Sequence, residues 1–124
     1  MKTERRAVAR YYGKLSVDMT VEDCQFEANT KELSSAGLKV ECLGPSAHNV
    51  FNKFIQVTPG ANMTVQLVIK TPNSKSTLDN VSCSARVVNV SRASQERYLV
   101  GLKFLQFEED GQGYWEKYIE LNFK

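Results

Sequence analysis

One histidine and three cysteines in 124 residues are few, and each shortage excludes something. A single imidazole, His48, cannot build a His-rich metal centre or complete a hydrolytic triad. It falls in an ambiguous stretch, Ala47 to Val57, and reads as a surface residue. Cys24, Cys42 and Cys83 make no CxxC spacing and no even-numbered framework, so they read as reduced, mostly buried thiols. No glycine-rich phosphate loop is present. No apolar run approaches the ~20 residues that cross a bilayer. The opening segment MKTERRAVARYYGK carries charge without an apolar h-region, which predicts a cytoplasmic protein with no membrane insertion. Asn62-Met-Thr, Asn80-Val-Ser and Asn89-Val-Ser are then chance glycosylation matches. The Glu108-Glu109-Asp110 run superficially offers paired carboxylates, but adjacent acids before Gly111 read as a solvated loop. With no nucleophile–base pair, the expectation is that the protein is not an enzyme.

What is present is an ordinary core composition. Hydrophobic residues make up 42% and charged residues 24%, with six Phe, five Tyr and one Trp to fill an interior. That suits one domain over residues 1–124. The net charge of +2 gives no broad field for a polyanion, so DNA and RNA are not the expected partners. Charge is unevenly placed, however. Lys2, Arg5, Arg6 and Arg10 stand against the single Glu4 in the first ten residues, while Glu108, Glu109, Asp110, Glu116 and Glu120 make the tail acidic. A short positive arm suits a compact anionic ligand.

Along the chain, period-two patterns dominate. Tyr11 to Val21 mixes β-branched and aromatic residues with polar ones, and Phe26 to Leu33 reads as a second strand after a turn near Glu22-Asp23. Leu38, Val40 and Cys42 alternate with Lys39 and Glu41 until Gly44-Pro45-Ser46 breaks the run. Pro59-Gly60 reads as a turn. Val65, Leu67 and Ile69 form the next set, then Val81, Cys83, Ala85 and Val87, with a hairpin loop over Thr71 to Thr77 and a polar loop over Ser91 to Gln95. Leu99 to Phe107 closes the series. After Gly111 and Gly113, Trp115, Tyr118 and Ile119 share one helical face, which reads as a structural stripe packed across an open end. Short strands with one terminal helix favour an all-β antiparallel barrel of about six strands. The expected division is a basic arm over 1–11, a barrel over 12–107 and a helix over 113–123. Lys39, Lys70, Arg86 and Lys103 fall on strands and read as solvent-facing in preference to ligand-lining.

Two local patterns carry chemistry. Arg5-Arg6-Ala-Val-Ala-Arg10 places three guanidiniums within six residues. A guanidinium donates in pairs to a phosphodiester or to the O6/N7 edge of guanine, and stacks on purine faces. Glu32-Leu-Ser34-Ser-Ala-Gly37 marks a turn. Its carboxylate can accept from guanine N1 and N2, its serine or a backbone amide can reach a phosphate, and its glycine permits close approach or positive φ. Each pattern alone is common, a solvated tail in one case and a plain turn in the other. Their combination, followed by a late VGLKF strand and a helix, is specific.

That combination resembles the PilZ domain family, receptors for cyclic di-GMP built on a six-stranded antiparallel barrel. Arg6-Ala-Val-Ala-Arg10, preceded by Arg5, matches the family's RxxxR arm. Leu33 to Leu38 matches its turn, Ala85-Arg86-Val87-Val88 a central strand, and Val100-Gly101-Leu102-Lys103-Phe104 the late strand, with Tyr118-Ile119 in the closing helix. Glu32 departs from the family's Asp or Asn. It keeps the charge but adds a methylene, so it either still reaches guanine or pairs with an arginine of its own arm.

The resemblance implies a binding module with no cofactor. Phosphates would meet Arg5, Arg6 and Arg10, and guanine would meet Glu32, with Ser34 and Gly37 shaping the turn. Ordering five or six arm residues costs ~1–2 kcal/mol each, close to what four to six charge-assisted bonds of ~1.5–3 kcal/mol return. The arm is therefore expected to be mobile alone and to fold over the ligand, changing the surface offered to a downstream protein or a homodimer partner in bacterial motility or biofilm signalling. Two readings compete: a degenerate interaction module that binds no nucleotide, and a small barrel holding single-stranded RNA.

Overall fold

The computed structural model describes residues 9–56, 63–72 and 80–123, without the side chains of 53–56. In chain order the elements are β1 (Tyr11–Tyr12), β2 (Ser16–Val21), β3 (Cys24–Leu33), β4 (Gly37–Leu43), α1 (Pro45–Gln56), β5 (Thr64–Lys70), β6 (Asn80–Ser94), β7 (Arg97–Phe107) and α2 (Gly111–Phe123). All strand pairs are antiparallel. Their order is β1-β3-β2-β5-β6-β7-β4, and β4 pairs again with β3. Six strands therefore close on themselves, which removes the sheet edges, while β1 is a short appendage on β3.

Period-two patterning explains the closure. Val17, Met19 and Val21 on β2, Val65, Leu67 and Ile69 on β5, and Val81, Cys83, Ala85 and Val87 on β6 are all buried. Leu38, Val40 and Cys42 on β4 meet Leu102, Val100 and Tyr98 of β7 in register. Side chains on alternate positions fill one interior. The turn at Glu22-Asp23 is a two-residue hairpin with Glu22 at φ 54°.

Two elements differ from the sequence expectation. The ambiguous stretch after Gly44 is a helix. Gly44, at φ 97°, accepts from His48 N–H at 3.0 Å, and Pro45 suits the first helical turn. Ala47, Val50 and Phe51, at helical spacing, pack inward, Phe51 against Phe26 and Tyr98. His48 is half-buried and bonded to the Tyr98 hydroxyl at 2.8 Å, so it is not a free surface residue. The polar run Ser91 to Ser94 continues β6 as an exposed ribbon on β7, turning only at Gln95-Glu96. Its polar side chains face solvent on both sides, which is why the sequence reads as a loop. Of the expected Thr71 to Thr77 loop, residues 73–77 lie outside the described residues.

One buried polar group fixes the chain between β1 and β2. Thr30 Oγ1 accepts from Leu15 N–H and donates to the Gly13 carbonyl, both at 2.7 Å. Thr30→Val keeps the shape but orphans both backbone groups, at ~1–3 kcal/mol each. Denaturant unfolding should show a loss of ~2–4 kcal/mol for Thr30→Val and a much smaller one for Thr30→Ser. Equal losses would mean that methyl packing, not the hydroxyl, holds the segment.

All three cysteines are free thiols. Burial, with a smaller contribution from nearby Glu41 and Glu108 respectively, pushes Cys42 and Cys83 up from 9.0 to about 12. Neutral at pH 8, both should resist alkylation in the native protein while half-buried Cys24 reacts. Because the unfolded thiols ionise near 9.0, stability should fall as pH rises from there through about 12. Mass spectrometry after alkylation checks the first expectation, and urea titrations at stepped pH the second.

Candidate functional site

The turn between β3 and β4 is built by its own serine. Ser34 Oγ accepts from Ala36 N–H at 3.1 Å and Gly37 N–H at 3.0 Å, and Ser34 N–H donates to the Gly37 carbonyl at 3.0 Å. The hydroxyl thus holds the loop's shape. Gly37 meets a hard constraint: a Cβ there would run into the Leu102 carbonyl oxygen of β7. Two outside donors pin the loop, Phe104 N–H on the Ala36 carbonyl at 2.9 Å and Trp115 Nε1–H on the Ser34 carbonyl at 2.8 Å. Trp115 is fully buried against Phe104 and stacks on Tyr118. The helical stripe therefore packs on the barrel as expected, and also supports the turn.

Glu32 reaches the surface because strand alternation fails beside it. Ala28 and Thr30 are buried, so an unbroken β3 would send residue 32 inward as well. The register shifts between Thr30 and Glu32, leaving Lys31 as an extra residue. This bulge turns Glu32 outward, opposite Lys39 of β4, and returns Leu33 to the core.

Arg10 arrives through β1. Tyr11 pairs with Leu33 and Tyr12 with Glu32, so one step further along that register Arg10 stands at the mouth of the turn. Its guanidinium lies 3.6 Å from the Glu32 carboxylate, with the two side chains 54% and 23% exposed. Arg5 and Arg6 lie outside the described residues.

These groups border one cleft of about 300 Å³. Arg10, Glu32, Ser34 and Gly37 line it, bringing together four of the six residues expected from sequence. The opposite wall comes from Lys39, Val88, Asn89, Gly101 and Lys103. Sequence reasoning missed this wall. Lys39 and Lys103 read as solvent-facing charges, Val88 entered only within the strand match Ala85 to Val88, and Asn89 only as a chance glycosylation match. Among the described residues there is no metal-holding group of His, Cys, Asp or Glu, and no helix is long and apolar enough to cross a membrane.

Comparison with known proteins gives a consistent picture. The family model described as "PilZ domain" matches residues 4–121. No curated protein matches the chain in sequence. Among solved structures, it is similar to the Bacillus subtilis inhibitor of motility, MotI/DgrA, at 17% identity and TM-score 0.69, covering 98% of this chain and 54% of that one. It is also similar to the Borreliella burgdorferi PlzA protein, solved in complex with c-di-GMP, at 16% identity and TM-score 0.52, covering 89% of this chain and 48% of that one. The chain thus spans about half the length of each protein, and at these identities the likeness is one of fold.

Trp115→Phe removes the indole donor and keeps most of the packing. It should cost ~1–3 kcal/mol, the usual penalty of an orphaned carbonyl, and move the backbone amide shifts of residues 34–37 as a group. Unmoved turn resonances would show that the indole is not what holds the loop.

Proposed function

The chain belongs to the PilZ domain family, and on that premise we propose that it is a receptor module for cyclic di-GMP, with no bond made or broken. The observation that carries this reading is the convergence of Arg10, Glu32 and the Ser34–Gly37 turn on one cleft. Three cations, Arg10, Lys39 and Lys103, and one carboxylate line it, an excess of two positive charges for a ligand with two phosphodiesters. Arg5 and Arg6, a few residues before Arg10, would complete the phosphate grip. The complex of PlzA with c-di-GMP supports the choice of ligand, and the name of MotI, inhibitor of motility, supports motility control as an output. Biofilm regulation and a cytoplasmic location fit the same role. The signal would leave as a changed arm and surface, met by a protein partner or by a second copy of the chain.

A second reading has one observation in its favour. Glu32 already has a partner in Arg10, as a degenerate module with no nucleotide would. The magnitudes favour the receptor. An exposed ion pair contributes ~0–1 kcal/mol, whereas a charge-assisted hydrogen bond to ligand contributes ~1.5–3 kcal/mol. The ligand can displace the internal pair.

Calorimetric titration with cyclic di-GMP tests this. Wild-type protein should bind. Arg6→Ala and Arg10→Ala should each weaken binding ~10–100-fold. Glu32→Asp, which shortens the reach to Arg10 and restores the family's residue, should tighten it. No heat from wild type at ligand concentrations well above cellular levels would leave the interaction module as the function.

A further inference from the structure

The cleft's far wall is a row of residues laid across four strands. Glu32 on β3 is opposite Lys39 on β4, Lys39 is opposite Gly101 on β7, and Gly101 is opposite Asn89 on β6. At ~4.8 Å per strand gap, the row spans about 14 Å, wider than one base needs. Two features show that it is built as a unit. First, β6 repeats the device seen in β3. Ala85 and Val87 are buried, and the register shift between Val87 and Asn89 makes Val88 an extra residue. That bulge turns Asn89 out into the cleft instead of into the core. Second, Gly101 leaves a bare patch over which the Asn89 carboxamide lies; a Cβ on Gly101 would come within 2.7 Å of Asn89 Nδ2.

Charge is arranged with equal care. Lys103 stands directly opposite Gly37 of the turn on one side and Arg86 on the other. Like charges directly opposite destabilise a strand pair. Among the described residues, no carboxylate pairs with Lys39, Arg86 or Lys103, whereas Arg10, Lys70 and Arg97 all have acidic partners. An uncompensated cationic strip beside a cleft is what an incoming anion would relieve.

We propose that the part of this row beyond Glu32, with Lys103 beside it, is a second subsite, holding the half of the cyclic dinucleotide that the arm and turn do not hold. Lys39 and Lys103 take a phosphodiester as point charges. The Asn89 carboxamide, resting on Gly101 and carrying a donor and an acceptor side by side, reads the hydrogen-bonding edge of the second purine. Val88 supplies an apolar rim. This assignment rests on the receptor reading above and extends it to residues that neither the arm nor the turn motif includes.

The test is calorimetry with cyclic di-GMP on wild type, Lys39→Ala, Lys103→Ala, Lys103→Arg and Asn89→Ala, with the Asn89 side-chain amide followed by NMR during titration. Lys103 and Asn89 are exposed, so these changes leave the core intact, and unfolding curves check that. Each alanine variant should bind ~10–100-fold more weakly, Lys103→Arg should recover most of the affinity, and the Asn89 side-chain amide should shift on binding. Wild-type binding with unchanged affinity in the alanine variants and an unmoved Asn89 amide would overturn the second subsite while leaving the receptor intact. Absence of binding by wild type would overturn both.

Discussion

A strand turns its side chains to alternate faces, and the cleft exists because that alternation is broken twice. Were Lys31 paired regularly and not bulged, Glu32 would follow Ala28 and Thr30 into the core. Were Val88 paired regularly, Asn89 would follow Ala85 and Val87. A carboxylate buried there without a partner would be strongly destabilising. The two bulges keep polar groups out of an apolar interior, and in doing so aim both at the same piece of surface. Stability and site geometry are therefore met by one local irregularity in each strand.

What fixes the distance between the two walls is backbone contact. At Gly37 the start of β4 comes so near the Leu102 carbonyl that no side chain fits. The turn is clamped further by the Phe104 amide and the Trp115 indole. A loop held by hydrogen bonds of its own and by two from neighbours would have little left to order on binding a ligand. In the proposed receptor, the entropic cost of binding would then fall elsewhere than on this turn, beside which Arg10 stands one step along the β1–β3 register.

How much of this the sequence discloses follows from the kind of interaction involved. Period-two runs such as Val65-Leu67-Ile69 announce their strands because burial depends on spacing alone. The RxxxR and ExSxxG patterns announce chemistry because guanidinium, carboxylate and glycine have few substitutes. The helix over Pro45–Gln56 was legible in retrospect from Ala47, Val50 and Phe51, but a short apolar run does not separate helix from strand by itself. The β6 ribbon through Ser94 was not legible, since polar residues on a two-sided exposed hairpin look like a loop. Least legible was the far wall. Lys39, Asn89, Gly101 and Lys103 are scattered over 65 positions of chain and become neighbours only through cross-strand register. A bulge has no sequence signature strong enough to predict which way Asn89 points.

The Arg10–Glu32 pair ties the energetics of the free and bound states together. Exposed as it is, the pair stabilises the free state by no more than ~1 kcal/mol, and salt weakens it further. It nevertheless keeps Arg10 beside the turn. The extra methylene of Glu32 is what lets the carboxylate bridge outward to Arg10. With the shorter Asp, the carboxylate would sit closer to the strand, less able to hold Arg10 and more available to a purine edge. Glu32 thus shifts the balance between self-pairing and ligand pairing by a fraction of the energy of one hydrogen bond. In the proposed receptor, such a shift would set the ligand concentration at which the module responds without altering how the ligand is recognised.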